Sequence, residues 1–195
     1  MAGILNSSAA GYTELNPFAA IAGEKRILYF MGEVNEVSVN EMIAKIIYLD
    51  YQSHDPITML IASNGGSIVS GMALYDVMQT VESPIRTVAV GNAYSMGAIL
   101  LAGGENGERY AFEHSKIMIH EPLISQGAGG SVSSIKSLCE SLSDSKRMLD
   151  GIIAKHTGKT IKTVEKNTSY DHYFSAKEAV EFGLIDKIIK KGDLI

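Results

Sequence analysis

Short apolar runs and helical apolar stripes alternate along most of this chain. Runs rich in β-branched and aromatic residues predict strands, and five such runs precede residue 120: Arg26–Phe30, Ile57–Ala62, Ile85–Val90, Tyr110–Phe112 and Lys116–Ile119. Apolar residues at three- and four-residue spacing predict three helices between them: Ser38–Tyr51, Ile68–Val81 and Ser95–Leu101. A strand followed repeatedly by a helix predicts an α/β domain with mostly parallel pairing.

The pattern changes after His120. Residues 124–134 are rich in Gly and Ser, which is typical of a flexible segment or a thin edge strand. A long helical stripe follows and ends at Gly158: Val132, Ile135, Leu138, Leu142, Leu149, Ile152 and Ile153. A narrow stripe on a long helix indicates packing either on its own domain or on another subunit. A short helix, Ala176–Phe182, and a final strand within residues 183–190 close the predicted fold.

Composition limits the class of protein. Apolar residues make up 46% of the 195 and charged residues 20%, which favours one globular domain, predicted at 25–195, after a flexible arm or removable leader at 1–24. The net charge of −5 argues against a general nucleic-acid partner. No apolar stretch is long enough to span a membrane and no secretory signal is visible. Cys139 is the single cysteine, so we expect a reducing, cytoplasmic location.

Ser95 lies at a strand-to-helix junction among small residues, in Asn92-Ala93-Tyr94-Ser95-Met96-Gly97. Free backbone N–H groups and the positive end of the helix dipole at such a junction stabilise a negative oxygen. The arrangement is similar to a nucleophile elbow, although the full G-x-S-x-G pattern is absent. The alternative is a plain N-cap serine.

Three further positions are candidates for chemistry. Asn64-Gly65-Gly66 also separates a strand from a helix, so its N–H groups could face an oxyanion, bind a phosphate or simply form a tight turn. His120 ends an apolar strand, where an imidazole suits a general base or a simple hydrogen bond. Asp171 precedes aromatic residues and could orient an imidazole or cap a helix. The remaining histidines, His54, His114, His156 and His172, are predicted to be surface residues, and no pair has zinc-ligand spacing.

Three stretches together resemble ClpP, the proteolytic subunit of the caseinolytic Clp protease: "SNGGSIVSGMALYDVMQ", "GNAYSMGAILLAGGENGERYAFEHSKIMIHEPL" and "YFSAKEAVEFGLID". The resemblance runs from about Arg26 to Ile188. It implies a serine peptidase with Ser95 as nucleophile, His120 as general base and acid, and Asp171 orienting His120. The N–H groups of Gly66 and Met96 would form the oxyanion hole, and no metal or other cofactor is implied.

The resemblance also implies an architecture and partners. The fold would be a ClpP- and crotonase-like head of repeated β-β-α units, with a handle of a strand and a long helix inserted at about 123–158. Two stacked seven-membered rings would enclose a chamber, and an AAA+ Clp unfoldase would feed unfolded polypeptides into it. Cleavage would proceed through an acyl-enzyme.

Several residues depart from the family pattern at docking and assembly surfaces. Asn64 replaces a usual proline, Glu121 a usual glutamine and Tyr170 a usual arginine, while Thr58 and Leu60 occupy positions where docking-groove tyrosines are common. We therefore keep an alternative: a weakly active or mainly structural ClpP paralogue in a mixed ring with a second ClpP subunit. A crotonase-type acyl-CoA enzyme is a third possibility, which the Ser, His and Asp set argues against.

Overall fold

The computed structural model describes residues 4–8, 11–124 and 129–193. The strands are β1 Ile4–Ser8, β2 Gly11–Leu15, β3 Ile27–Val34, β4 Ile57–Gly66, β5 Ile85–Tyr94, β6 Arg109–Ala111, β7 Lys116–Ile119, β8 His172–Ser175 and β9 Lys187–Ile188. The helices are α1 Pro17–Lys25, α2 Glu36–Gln52, α3 Ile68–Thr80, α4 Met96–Ala102, α5 Val132–Thr157, α6 Ile161–Thr168 and α7 Ala176–Phe182.

Strands β3 to β9 form one sheet of seven strands, while β1 and β2 form a separate antiparallel hairpin. The main path of the sheet runs β3-β4-β5-β6-β9, and every neighbouring pair on it is parallel. Strand β7 also pairs with β5 in parallel, and β8 pairs with β7 in antiparallel orientation. The predicted α/β fold with mostly parallel pairing is confirmed.

Strand β5 pairs with two different strands along one edge. Its first half, Thr87–Ala89, pairs with β6, and its second half, Asn92–Tyr94, pairs with β7. The carboxyl ends of β5 and β7 are therefore neighbours, and β4 ends beside β5 on the other side. Because loops that follow parallel strands meet at the same edge of a sheet, this topology gathers the segments after β4, β5 and β7.

Apolar side chains cover both faces of the sheet. The larger cluster includes Leu28, Phe30, Met59 and Ile61 from the strands and joins α2, α3, α4, α5 and α7. The smaller cluster contains Ile27, Leu60 and Val88, with partly buried residues around it that include Ile21 of α1. Because successive residues of a strand point to opposite faces, β3 contributes Leu28 to one cluster and Ile27 to the other.

Helix α5 packs on its own domain only along its last third. Leu149 and Ile153 are buried, whereas Val132 is 85% exposed and Ile135 and Leu138 are 42% and 37% exposed. The helix ends at Gly158 in the left-handed conformation, with φ of 68°, as its sequence predicts. The apolar stripe is therefore split between a packed end and an exposed one.

Some elements were not predicted from the sequence. Residues 1–24, expected as an arm, contain β1, β2 and most of α1, and Asn16 caps α1 by accepting hydrogen bonds from the N–H groups of Phe18 and Ala19. Helix α6 was also missed, although Thr160 caps it. The predicted final strand is reduced to β9. Of the predicted Gly-rich strand, residues 125–128 lie outside the described residues, and residues 129–131 are not in a strand.

Within the described part of the chain, no helix combines the length and the apolar character that crossing a membrane requires.

Candidate active site

Ser95 occupies the single residue between β5 and α4. Its backbone has φ of 53° and ψ of −122°. This conformation is energetically unfavourable for any residue other than glycine, and strained turns of this kind carry the serine in nucleophile elbows. The Ser95 N–H donates to the carbonyl oxygen of Met118, at 2.8 Å, which fixes this junction against β7. The hydroxyl makes no capping hydrogen bond to α4, so the alternative of a plain N-cap serine is wrong.

The hydroxyl of Ser95 contacts His120 instead. Oγ lies 2.9 Å from Nε2 of His120, which follows directly after β7 and is 15% exposed. The contact follows from the topology, since Tyr94 at the end of β5 pairs with Met118 of β7. Ser95 directly follows Tyr94 and His120 is the second residue after Met118, so the ends of these neighbouring strands bring the hydroxyl and the imidazole together.

Asp171 lies on the other side of the imidazole. Its Oδ1 is 2.9 Å from Nδ1 of His120, so the three side chains touch in series. The aromatic residues that follow Asp171 leave its carboxylate largely uncovered, because the side chain is 59% exposed in the chain. The rings of His172 and Phe174 stack on each other, with centroids 4.2 Å apart, rather than over Asp171.

The glycine turn after β4 packs directly against the serine. A Cβ atom built on Gly65 would lie 2.7 Å from Cβ of Ser95 and 3.0 Å from the backbone N of Met96. Gly65 and Gly66 both have positive φ, of 93° and 147°. Only glycine combines this backbone with such close approach, so the turn brings its backbone to the first turn of α4, where the N–H groups lack intrahelical acceptors.

A cleft of about 660 Å³ surrounds these groups. Gly66 and Met96, the residues predicted to supply oxyanion donors, line it together with Ser95 and His120. Most of its other walls are apolar, and the last part of α5 contributes Leu149 and Ile153. The cleft therefore offers apolar contacts next to a hydroxyl, an imidazole and a turn rich in backbone amides.

The predicted surface location of His156 is wrong. Its Nε2 lies 2.8 Å from the hydroxyl of Tyr75, a residue 81 positions earlier in the chain. The two rings pack edge to face. Burial, with repulsion from Lys155 and Arg109, lowers the pKa of His156 to about 4. This histidine is not among the residues that line the cleft, and it serves as a neutral internal partner of Tyr75.

Among the described residues, no group of three His, Cys, Asp or Glu side chains has the geometry to hold a metal ion.

Comparison with known families decides the relationship. The family model described as Clp protease matches residues 13–192. The chain belongs to the Clp protease family. The match covers nearly the whole chain and contains every candidate site residue, which confirms the resemblance found in the sequence and supports a ClpP-type peptidase.

The structure shows the surroundings of three residues that depart from the Clp protease pattern. Thr58 and Leu60, at positions expected to form a docking groove, are each 6% exposed, and Leu60 packs with Ile27 and Val88. The side chain of Asn64 accepts a hydrogen bond from the amide of Asn92, at 2.7 Å, so the turn has a lateral contact where a proline was expected.

Sequence reasoning missed two residues that contact this Clp protease site. Gly65, rather than Gly66, makes the close approach to Ser95, and only the spatial neighbour reveals which glycine of the pair does so. Lys146 of α5 lies 3.4 Å from the carboxylate of Glu121, the residue after His120. In the sequence Lys146 is a lysine four residues before an aspartate, Asp150. Such pairs are common on exposed helix faces, so the sequence did not indicate a contact with this site.

Proposed function

We propose that this chain is a serine endopeptidase subunit of a self-compartmentalising, ATP-dependent protease. The observation that carries the proposal is the series of two 2.9 Å contacts from Ser95 Oγ through the imidazole of His120 to Asp171. A hydroxyl is a weak nucleophile by itself, and an adjacent base held by a third group is the arrangement that activates it.

The proposed reaction begins when Ser95 Oγ attacks the carbonyl carbon of a peptide bond. Nε2 of His120 takes the hydroxyl proton, and the carboxylate of Asp171 holds the imidazole in the tautomer with Nδ1 protonated and stabilises the cation that forms. The carbonyl oxygen becomes an oxyanion, which the N–H groups of Gly66 and Met96 stabilise. Donors of this kind typically lower the activation barrier by about 3–4 kcal/mol.

The tetrahedral intermediate then collapses. The C–N bond breaks, the leaving amine takes the proton from His120, and an acyl-enzyme ester remains on Ser95. A water molecule next gives a proton to His120 and attacks the ester carbon. The second intermediate releases the carboxylic acid product and returns the proton to Ser95, so that the free enzyme is regenerated.

Family membership implies an oligomeric assembly and Clp partners in general. We propose further that the assembly is two stacked seven-membered rings, located in the cytoplasm, with an AAA+ unfoldase that delivers unfolded chains. Exposed apolar side chains on two helices support contacts with other chains: Ile47, Tyr48 and Tyr51 on α2, and Val132 and Ile135 on α5. Such side chains are costly to leave in water over a contiguous patch.

A fluorophosphonate probe tests the catalytic part. The probe is expected to label the native protein and to leave Ser95→Ala unlabelled, while the control Ser143→Ala, an exposed serine on α5, keeps its label. Measurement of native mass, and of the degradation of an unfolded protein with a Clp unfoldase and ATP, tests the assembly. Absence of any labelling at Ser95, in every assembly state, contradicts the peptidase proposal.

A second candidate is a weakly active or mainly structural subunit of a mixed ring with a second ClpP paralogue. The 59% exposure of Asp171 favours it, because water competes with His120 for an exposed carboxylate. Titrating the purified chain with a second ClpP subunit distinguishes the two. A peptidase that is complete by itself gives the same labelling rate of Ser95 before and after the addition, whereas a dependent subunit gives a large rise.

A further inference from the structure

One ammonium group on α5 contacts the chain segments on both sides of the candidate site. Nζ of Lys146 lies 3.4 Å from Oε2 of Glu121, 3.1 Å from Oδ2 of Asp150 and 3.3 Å from Oγ1 of Thr168. An ammonium group has three N–H donors, so these three oxygens can account for all of them. The side chain of Lys146 is 30% exposed, which places the group at the edge of the protein interior.

Two of the partners of Lys146 lie close in the chain to residues of the candidate site. Glu121 is the residue after His120, and Thr168 is three residues before Asp171. Lys146 therefore joins the segment that carries the imidazole to the segment that carries the carboxylate. Strand β7 ends at Ile119 and β8 begins at His172, so the strand pairing stops one residue short of both His120 and Asp171.

The cluster of Lys146, Glu121, Asp150 and Thr168 includes a buried carboxylate, that of Asp150. The side chain of Asp150 is only 5% exposed, and it accepts hydrogen bonds from Lys146 and from the hydroxyl of Thr168, the latter at 2.8 Å. A buried carboxylate without a cation is strongly unfavourable. Partial burial lowers the pKa of Lys146, but the hydrogen bonds and charges of Asp150 and Glu121 outweigh it, and the net effect is a raised pKa. Lys146 is therefore held in its charged form.

Helix α5 is also a wall of the cleft. Ser145, Leu149 and Ile153 line it from one face of the helix, and Lys146 and Asp150 each follow one of these residues in the chain. The polar cluster therefore lies next to the cleft. A change in the position of α5 would be transmitted through Lys146 to Glu121 and Thr168 together.

We propose that Lys146 is a positioning residue that holds His120 and Asp171 at contact distance by binding Glu121 and Thr168 at the same time. This inference rests on the proposed serine peptidase function. Lys146 touches neither Ser95 nor the reacting atoms in this arrangement, and it acts through the two segments alone. Loss of the ammonium group would free the Glu121 side of the site and leave Asp150 buried without its cation.

The test compares Lys146→Met with a matched control on the same helix, Lys136→Met, whose ammonium pairs only with Glu140 at 3.9 Å and is 77% exposed. The measurements are the rate of fluorophosphonate labelling of Ser95, and kcat and KM for a peptide, across pH. Misplacement of reacting groups by about 1 Å costs up to about 100-fold. We expect labelling and kcat of Lys146→Met to fall about 10- to 100-fold with KM within twofold.

The pH profile separates positioning from general loss of structure. The carboxylate of Asp171 stabilises the imidazole cation that forms in the reaction, so its loss from contact is expected to move the acid limb of the labelling profile to lower pH. A variant that is less stable but keeps His120 and Asp171 in contact is expected to have the same acid limb in its labelling profile as the native protein. Lys136→Met is expected to keep both the native rate and the native limb.

A milder variant covers the possibility that Lys146→Met does not fold. Glu121→Gln removes one charge and leaves the Lys146–Asp150 pair intact, and we expect a smaller fall in labelling with the same shift of the acid limb. Native rates and limbs in Glu121→Gln, or in a folded Lys146→Met, overturn the inference while the peptidase function stands. If Ser95 of the native chain is never labelled, the proposed function fails first, and this inference falls with it.

Discussion

Ile119 of β7 lies directly opposite His172 of β8 in an antiparallel register. The next residue outward from each is His120 and Asp171, and their side chains meet at 2.9 Å. Antiparallel neighbours are separated by only about 5 Å, so the strand pairing brings close two residues that are 51 positions apart in the chain. The edge of the sheet therefore brings the imidazole and its carboxylate partner near each other, although both residues lie just outside the strands.

Asp171→Asn tests whether this alignment matters for catalysis. An amide at this position favours the wrong tautomer of His120, and the corresponding change in a Ser-His-Asp peptidase lowers kcat by about 10⁴-fold. We expect a fall of about 10³- to 10⁴-fold in kcat for a peptide, with little change in the free energy of unfolding because the side chain is 59% exposed. Steady-state kinetics and denaturant unfolding measure the two effects.

The control for this substitution is Asp76→Asn, an exposed aspartate on α3. It is expected to keep native activity. Activity within tenfold of native in Asp171→Asn would show that the carboxylate does not orient His120 in the working enzyme.

Gly65→Ala tests the close packing of the glycine turn on the serine. The added Cβ would lie 2.7 Å from Cβ of Ser95 and 2.9 Å from the carbonyl oxygen of Tyr94, where Tyr94 is the last residue of β5 and Ser95 directly follows it. Either the serine or the turn must shift, so we expect labelling of Ser95 to fall by about 100-fold. The rate of reaction with a fluorophosphonate probe provides the measurement.

Gly91→Ala is the matched control, since Gly91 also has positive φ, of 78°, but a Cβ there would meet no atom within 4 Å. Both variants carry the backbone penalty of about 1 kcal/mol for an alanine in the left-handed region, and only Gly65→Ala adds the clash. Equal labelling rates in the two variants would contradict the packing argument.

The contact between Tyr75, which is buried, and His156, which is partly buried, predicts a dependence of stability on pH. Because burial holds the pKa of His156 at about 4 in the folded chain, against 6.5 in the unfolded chain, protonation favours unfolding. Its contribution is fully present above pH 6.5 and is lost as the pH falls toward 4. Between pH 7 and 4.5 the loss is about 2 kcal/mol, to be measured as the free energy of unfolding in urea.

His156→Gln isolates this contribution from that of the carboxylates. We expect the variant to be less stable than the native chain at pH 7, because the contact with Tyr75 changes, but to lose about 2 kcal/mol less between pH 7 and 4.5. His114→Gln, at an exposed histidine, is expected to keep the native slope. Equal slopes for the native chain and His156→Gln would show that His156 is not held neutral.

Local patterns predicted the regular core well, and their failures have physical reasons. Strands β3, β4 and β5 and helices α2 and α3 were found because apolar periodicity reports directly which side of an element is buried. Strand predictions ended too early at residues 62 and 90, because Asn64-Gly65-Gly66 and Gly91-Asn92 read as turns although the parallel ladder continues through them. Helix α6 was missed because it buries few apolar side chains, with Val164 and Thr168 its only buried residues.

The sequence determined the chemistry that this protein carries and the place of each group relative to its own element. Ser95 opens a helix, His120 closes a strand and Gly65-Gly66 form a turn, since these assignments depend on neighbours in the chain. The contact between the groups, the exposure of Asp171 and the link from Lys146 to both sides of the site were decided by tertiary structure. They depend on which strands pair and in which register, and that is set by the burial of the whole core rather than by any local segment.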